Sequence, residues 1–306
     1  MRVVQFHEPG QGNRVGITRE DDVLDVTGVA GGGSLGLLLA AAAGRSPDVS
    51  GAPRVASFAE LDVTPEAGRR HLRLPVDPPE VWGAGVTYRK SAEFRDEDTS
   101  TSKGIYDLVY SSPRPELFYK GRSVHCAGPN GAGTIRSDSV FTAPEPELAL
   151  VLSAAGEVLG YTLCDDVSAW DIERENPLYL PQSKIFYGCA VIGPAVVTPD
   201  DLPDPRALTL RCTISRAGQT VFDESVGLDR LQRTFEELIA YLRRNNPIQD
   251  GAVLSTGTGI IVPAELALKD GDELELICDP IGTLRHTMRR LPEDWELRPA
   301  GAGATR

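Results

Sequence analysis

The sequence has few aromatic residues, few lysines and no paired cysteines, and each shortage argues against a class of protein. Aromatic residues make up 6% of the chain, lysines number five, and acidic residues outnumber basic ones to give a formal net charge of −13. This charge disfavours nucleic acid as a partner. The five cysteines are widely spaced without a Cys-x-x-Cys pair, so we expect reduced, buried thiols in a cytoplasmic protein.

Long apolar segments are also missing. The one long apolar run, Leu35 to Ala43, is too short to cross a bilayer and predicts a buried helix. The first ten residues, MRVVQFHEPG, lack the basic and then apolar pattern of a signal peptide. With 41% hydrophobic and 25% charged residues, the composition is typical of a soluble globular protein without a membrane partner.

The pattern of strands and turns predicts a mainly β protein with few helices, an α+β chain in two parts. Short strands separated by Gly-rich turns predict a small β-rich domain over residues 1–75. Prolines at 75, 78 and 79 indicate a linker, after which residues 76–306 form the predicted main domain. The tail from Arg298 to Arg306 is predicted to be disordered.

Two segments of the main domain carry specific predictions about helices and loops. The clearest helix spans Thr234 to Arg244, where Thr234 and Glu237 have the spacing of a capping box. The charged stretch from Arg89 to Asp107 is interpreted as a long polar connection, either a lid or a mobile surface loop.

A predicted hairpin carries most of the potential chemistry. Glu145 and Glu147 begin a strand, where residues two apart point to the same side. A two-residue turn at Ala155-Gly156 pairs residues whose numbers add to 311, which places Asp166 opposite Glu145. Clustered like charges indicate a cation, and all-oxygen ligands favour Mg2+, with Mn2+ or Ca2+ as alternatives. The other interpretation is that these acids are solvated at exposed strand ends.

Two lysines and a Gly/Thr loop accompany the hairpin. Lys120 ends a predicted strand, and Lys184 begins a short apolar run. Either lysine can bind an anion, balance the acids or carry a proton, and the alternative is a solvated surface lysine. The segment Thr256-Gly257-Thr258 follows a predicted strand and offers amides and hydroxyls to an anionic group.

Taken together, these motifs resemble the fumarylacetoacetate hydrolase superfamily over about residues 80 to 285. The resemblance implies a β-roll or sandwich main domain, a homodimer or homotetramer, and a divalent metal. It also implies that the metal is held by Glu145, Glu147 and Asp166. The matching segments are Gly85-Val86-Thr87-Tyr88, Lys120, Glu145-Pro146-Glu147-Leu148-Ala149, Asp165-Asp166-Val167-Ser168-Ala169 and Thr256-Gly257-Thr258.

Differences within this superfamily favour dehydration over hydrolysis. Ser91 and Phe94 stand where the hydrolase branch commonly has the His and Glu that activate water. The stretch Glu175 to Lys184 instead resembles the branch that dehydrates 2-keto-3-deoxy-D-arabinonate, a small-molecule sugar acid of pentose catabolism. The implied reaction of this lyase yields 2,5-dioxopentanoate and water. Trp170 replaces the Arg that usually follows Val-Ser-Ala, which removes a cation from that position.

The resemblance also suggests roles for individual residues. Lys184 is the candidate for proton transfer or for orienting the substrate hydroxyls, and Lys120 gives electrostatic help. The alternatives are an acylpyruvate-type C–C hydrolase, a 2-keto diacid decarboxylase, or a non-catalytic binding protein that a metal stabilises. The residues expected to bind substrate are Thr256, Thr258, Tyr88 and Ser91.

Overall fold

The structure is a computed structural model in which residues 1–45, 47–98 and 104–295 are described, without the side chains of residues 96–98. The predicted disordered tail therefore lies outside the described residues. The α-helices are α1 Gly33–Ala42, α2 Phe58–Leu61, α3 Arg89–Asp98, α4 Ile105–Ser111, α5 Trp170–Glu175, α6 Leu180–Lys184 and α7 Phe235–Leu242. Short 3-10 turns lie at Ser123–His125, Pro177–Tyr179, Pro205–Ala207, Leu228–Arg230 and Ala264–Leu266.

Strands outnumber helices, as the sequence predicts. They are β1 Arg2–Glu8, β2 Gly12–Arg19, β3 Asp22–Asp25, β4 Arg54–Ser57, β5 His71–Leu72, β6 Val81–Gly85, β7 Glu116–Gly121, β8 Cys126–Ala127, β9 Ala132–Ile135, β10 Thr142–Ala143, β11 Pro146–Leu152, β12 Val158–Asp166, β13 Ser168–Ala169, β14 Ala190–Val197, β15 Thr209–Arg216, β16 Gln219–Gly227, β17 Ala252–Ser255, β18 Glu273–Cys278 and β19 Gly282–Arg290.

Most strands join one twelve-stranded sheet in the order β4-β3-β2-β1-β14-β12-β11-β17-β6-β7, with β5 paired to β1 and β8 to β14. A second sheet of five strands has the order β16-β15-β18-β19-β9, and β10 pairs with β13. The mixed α+β class with a predominance of strands is therefore confirmed. Among the described residues, no helix combines the length and the hydropathy needed to span a bilayer.

Strand β11 lies at the centre of the large sheet, between β12 and β17, and all seven of its residues are buried. Leu148 and Leu150 belong to a core that also includes residues of the five-stranded sheet, whereas Ala149 and Val151 pack in a second core with helix α1. A strand covered on both faces needs a nearly continuous apolar run, which explains the sequence LALVL. The predicted buried helix at Leu35 to Ala43 is confirmed as α1.

The register of the β11–β12 hairpin agrees with the sequence at its open end. Glu147 pairs with Cys164, as the predicted sum of 311 requires, and the Asp166 N–H donates to the Glu145 carbonyl at 2.9 Å. The predicted two-residue loop is wrong, because the register shifts between Val151 and Leu152 at the closed end. Since this irregularity lies beyond the last regular pair, it leaves the positions of the acids unchanged.

The N-terminal strands are continuous with the rest of the large sheet. Strand β1 pairs antiparallel with β14, with Arg2 opposite Val197 and Val3 opposite Val196. Backbone pairing thus joins residues 1–75 to the remainder of the chain. The division into domains 1–75 and 76–306 stays a prediction.

Two local predictions are wrong. The stretch from Arg89 to Asp107 is not simply a polar loop, because it contains helix α3 and the start of α4, which pack against each other.

The predicted capping box at the start of α7 is only half formed. The Thr234 hydroxyl accepts from the Glu237 N–H at 3.1 Å, as predicted. The reciprocal half of the capping box is replaced by an ion pair, since the Glu237 carboxylate accepts from Arg233 at 2.7 Å.

Candidate metal centre and active site

Three carboxylates converge at the open end of the β11–β12 hairpin. One oxygen each from Glu145, Glu147 and Asp166 lies within 4.8 Å of the other two. All three residues are largely shielded from solvent, and Glu145 has the greatest exposure, at 8% of the whole residue. The interpretation that these acids are solvated at exposed strand ends is therefore wrong, and the structure brings together the residues that the hairpin register predicts.

The end of β17 and the Gly/Thr loop that follows it hold Glu147 in place. The Ser255 hydroxyl and the Gly257 N–H both donate to Glu147 Oε2, the latter at 2.7 Å. Gly257 has a φ of +94°, and a Cβ at this position would lie 1.9 Å from Thr87 Oγ1, so a side chain is excluded. Burial and the nearby Asp166 and Glu145 carboxylates raise the pKa of Glu147 well above its usual value. A cation between these groups would relieve the repulsion.

The two predicted lysines are buried against the acids, so neither is a surface lysine. Lys184 Nζ lies 2.9 Å from Glu145 Oε1, 3.1 Å from Asp166 Oδ2 and 2.6 Å from Ser168 Oγ. Lys120 Nζ lies 2.5 Å from Asp166 Oδ1. Burial alone would raise the pKa of Asp166, but the two ammonium groups outweigh that effect and leave the pKa below its usual value.

The charge of Lys184 bears directly on its predicted role. Burial lowers its pKa, yet the Asp166 and Glu145 carboxylates more than compensate and hold the pKa above the usual value. A neutral lysine base needs a shift in the opposite direction. In this arrangement, Lys184 is therefore a cation that is suited to orienting or stabilising negative groups.

Helix α3 contributes a buried arginine that was not predicted from the sequence. Arg95 Nη2 donates to both oxygens of Glu145, at 3.0 and 3.1 Å, and Nη1 donates to Glu173 Oε1 at 3.0 Å. Its guanidinium lies 5.0 Å from the centre of the Trp170 ring. Helical spacing could have indicated Arg95, because it shares one face of α3 with the buried residues Ser91 and Ala92.

Two further carboxyl groups, Glu116 and Glu173, were also missed. They line the same cavity beside Tyr106. Glu116 Oε2 is buried and has no hydrogen-bond partner among the residues that the structure describes. Burial raises the pKa of Glu116 to about 7, and the favourable charge of Arg95 limits the increase. Gly85 makes room for this carboxyl, since a Cβ there would lie 2.0 Å from Oε2.

The charges of this buried cluster match a divalent cation. With every group ionised, its five carboxylates exceed its three cations by two formal charges. Oxygen ligands and a net charge of −2 suit a hard ion such as Mg2+, so the residues present fit the predicted metal. The cluster consists of Glu116, Glu145, Glu147, Asp166 and Glu173 with Arg95, Lys120 and Lys184.

The predicted substrate-binding residues occupy different surroundings. Thr258 lines a cavity together with Arg95 and Glu145. The Thr256 hydroxyl donates to the Leu148 carbonyl at 2.8 Å, so it fixes the loop to β11. Tyr88 packs in the main core, and Ser91 is buried on α3. The assignment of Thr256, Thr258, Tyr88 and Ser91 to substrate binding stays a prediction, with the most direct geometric support at Thr258.

The sequence is similar to two proteins named as dehydratases. It is 48% identical over 216 residues to a 2-dehydro-3-deoxy-D-arabinonate dehydratase of Saccharolobus solfataricus, a match covering 70% of this chain and 72% of that protein. It is 41% identical over 219 residues to a probable 2-keto-3-deoxyxylonate dehydratase of Haloferax volcanii, with coverage of 72% and 75%.

The fold is also similar to solved structures over nearly the whole chain. A 2-keto-3-deoxy-D-arabinonate dehydratase complexed with magnesium and 2,5-dioxopentanoate gives a TM-score of 0.85 at 35% identity, covering 96% of this chain and 100% of that chain. The apo form of a 2-keto-3-deoxy-D-arabinonate dehydratase gives the same TM-score at 36% identity and the same coverage. These similarities confirm the predicted fold.

The family model described as "Fumarylacetoacetate (FAA) hydrolase C-terminal" matches residues 81–289. This range contains the hairpin, both buried lysines and the loop that holds Glu147, and it exceeds half of the 306 residues. The predicted relationship is confirmed: the chain belongs to the fumarylacetoacetate hydrolase family.

Proposed function

We propose that the protein is a magnesium-dependent dehydratase that converts 2-keto-3-deoxy-D-arabinonate into 2,5-dioxopentanoate and water. The main observation is a buried cluster whose five carboxyl groups exceed its three cations by two formal charges, and one of those carboxyl groups, Glu116, has a pKa of about 7. A relative that is 48% identical is a dehydratase of this sugar acid, which supports the choice of substrate. The absence of the water-activating His and Glu, replaced by Ser91 and Phe94, favours elimination over hydrolysis.

Glu145, Glu147 and Asp166 are the residues that would hold the metal. When bound, Mg2+ would act as a Lewis acid toward the carboxylate and keto oxygen of the substrate. Mn2+ and Ca2+ accept the same oxygen ligands and are the alternative ions. Lys120 and Lys184 keep Asp166 ionised, which preserves it as a ligand.

Glu116 is our candidate for the acid that protonates the departing hydroxyl. Because its pKa is about 7, the Glu116 carboxyl is protonated in about half of the molecules at neutral pH. Among the described residues, no cation forms an ion pair with Glu116, whereas Glu173 is paired with Arg95 at 3.0 Å. Two carboxyl groups in different environments can divide the acid and base roles between them.

Glu173 is the corresponding candidate for the base. Arg95 favours its ionised form, while burial gives it a raised pKa and hence greater basicity. In the proposed reaction, the C3 proton moves to Glu173, the C4–O bond breaks, and the hydroxyl leaves as water with the proton of Glu116. A proton shift from C5 to C3 then gives the C4–C5 enol, and transfer of the enol O–H proton to C4 gives 2,5-dioxopentanoate. Lys184, held as a cation, orients the substrate hydroxyls and balances the developing negative charge.

The direct test is incubation with Mg2+ and 2-keto-3-deoxy-D-arabinonate, followed by mass analysis of the product. We expect the loss of one water, no turnover in EDTA and recovery when Mg2+ is restored. Glu147→Gln should lose turnover while keeping its circular dichroism spectrum. Carbon dioxide as a product would instead identify a decarboxylase, and two carboxylate fragments would identify a hydrolase. Ligand protection without turnover across a panel of 2-keto acids would favour a binding protein.

The cellular setting and assembly are also part of the proposal. All five cysteines are free, which supports a reducing compartment such as the cytoplasm. Leu178 and Val140 are 82% and 80% exposed, and exposed apolar side chains are consistent with a homodimer or homotetramer. Light scattering coupled to size exclusion measures the assembly directly. A monomer at micromolar concentration would contradict the proposed homodimer or homotetramer.

A further inference from the structure

A buried histidine and aspartate lie behind the metal centre, outside the proposed chemistry. His286 Nε2, on β19, is 2.9 Å from Asp165 Oδ2, on β12, and both side chains are 0% exposed. The contact is close but not aligned as a regular hydrogen bond, and His286 Nδ1 also lacks a partner among the described residues. A buried polar atom without a hydrogen-bond partner destabilises the folded state, so a buried pair of this kind indicates a role beyond packing.

Asp165 connects the pair to the first metal ligand. Its other oxygen, Oδ1, accepts the Glu145 N–H at 2.9 Å. Glu145 lies between Pro144 and Pro146, and proline has no N–H, so the Glu145 amide is the only backbone donor of this three-residue segment. Since the Glu145 carbonyl accepts from the Asp166 N–H at 2.9 Å, consecutive residues of β12 hold the backbone of Glu145 on both sides.

His286 belongs to a different sheet from the metal ligands. Strand β19 lies in the five-stranded sheet, with His286 opposite Leu274, whereas Asp165 and the hairpin lie in the large sheet. Gly133 leaves space for the imidazole, because a Cβ there would lie 3.3 Å from Nδ1. The His286–Asp165 contact therefore connects the second sheet to the backbone of Glu145 through two polar links.

We propose that His286 is a positioning residue of the metal centre: it fixes the Asp165 carboxylate, which in turn fixes the backbone of the ligand Glu145. The inference rests on the proposed metal centre but not on the proposed substrate. Groups that orient metal ligands typically contribute ~10- to 100-fold in metal affinity. His286 acts through two intermediate contacts, so its contribution belongs at the lower end of that range.

The test measures Mg2+ affinity by isothermal titration calorimetry in His286→Leu and His286→Gln. The leucine variant removes the polar contact, and we expect its Kd for Mg2+ to rise about tenfold. The glutamine variant can place an amide donor near Asp165 Oδ2 and should recover most of the affinity. At saturating Mg2+, kcat in both variants should stay close to that of the parent. Met288→Leu, on the same buried face of β19, is the matched control and should bind Mg2+ normally.

Several outcomes would overturn the proposal. One is normal Mg2+ affinity in a folded His286→Leu variant, even if its melting temperature falls, since that describes a purely structural residue. An equal loss of Mg2+ affinity in His286→Leu and His286→Gln would also contradict the proposal. If His286→Leu fails to fold, the double variant Asp165→Asn/His286→Leu removes the buried carboxyl group that has lost its partner. Weaker Mg2+ binding in the double variant would support the proposal, and normal Mg2+ affinity would overturn it. Because calorimetry needs no substrate, a wrong substrate assignment would leave this result intact.

Discussion

Replacing Glu116 with glutamine should increase stability at alkaline pH while removing activity. In the folded protein, burial raises the pKa of Glu116 from its usual 4.5 to about 7. Between these values the folded state binds more protons than the unfolded state, so stability falls as pH rises from about 4.5 to about 7 and stays lower above that. Each pH unit between these two values lowers the free energy of unfolding by up to about 1.4 kcal/mol. The total loss of stability above pH 7 is therefore roughly 3 kcal/mol.

Glutamine is neutral at every pH and keeps nearly the same shape as the protonated acid. Glu116→Gln should therefore match the parent below pH 4.5 and exceed its free energy of unfolding by up to roughly 3 kcal/mol at pH 8. Urea unfolding in EDTA at both pH values measures the difference without the influence of a bound ion. Glu265→Gln, at an exposed position, is the control and should change neither stability nor activity.

Two results would refute this reasoning about Glu116. Equal stability of Glu116→Gln and the parent at pH 8 would mean that the buried carboxyl carries no ionisation cost. Parent-like turnover in the variant would mean that the departing hydroxyl takes its proton from another group. A stable but inactive variant would support the interpretation that the site keeps an unfavourable buried acid for its chemistry.

Three further predictions concern the same cluster. Lys184→Met should keep Mg2+ binding, because Lys120 still pairs with Asp166. It should lower kcat by about 100-fold because a cation beside the reacting atoms is lost, and an unchanged kcat would exclude that role. Arg95→Met should tighten Mg2+ binding, measured by calorimetry, since the cluster loses one positive charge; weaker binding would assign Arg95 to positioning Glu145. Turnover of the parent should decline above about pH 7 as Glu116 loses its proton, and a rate that rises through pH 8 would contradict the acid role.

The cluster of three acids could be predicted from the sequence because it depends on local geometry. Alternation in a strand places Glu145 and Glu147 on one side, and hairpin pairing then brings Asp166 to the same end. The error in the turn did not matter for the acids, since the register shift between Val151 and Leu152 lies at the opposite end of the hairpin. Short-range rules were sufficient wherever the partners lie close in the chain.

The surrounding charges could not be predicted in the same way. Arg95 contacts Glu145 and Glu173 across 50 and 78 residues, and its helix was obscured by a charged sequence that is also typical of a loop. The carboxyl of Glu116 acquires its raised pKa only from the packing around it. Sequence spacing contains no information about such desolvation.

The amino-acid sequence by itself determined the fold class, the central hairpin and the three acids, because periodicity and strand pairing are local properties of the chain. Only the tertiary structure decided the charge states around them. It placed Lys184 between two carboxylates, which raise its pKa, and it buried Glu116 without an ion-pair partner among the described residues, which raises the pKa of that carboxyl. Ionisation depends on the distances to every neighbouring charge and on exclusion of water, and folding alone sets both.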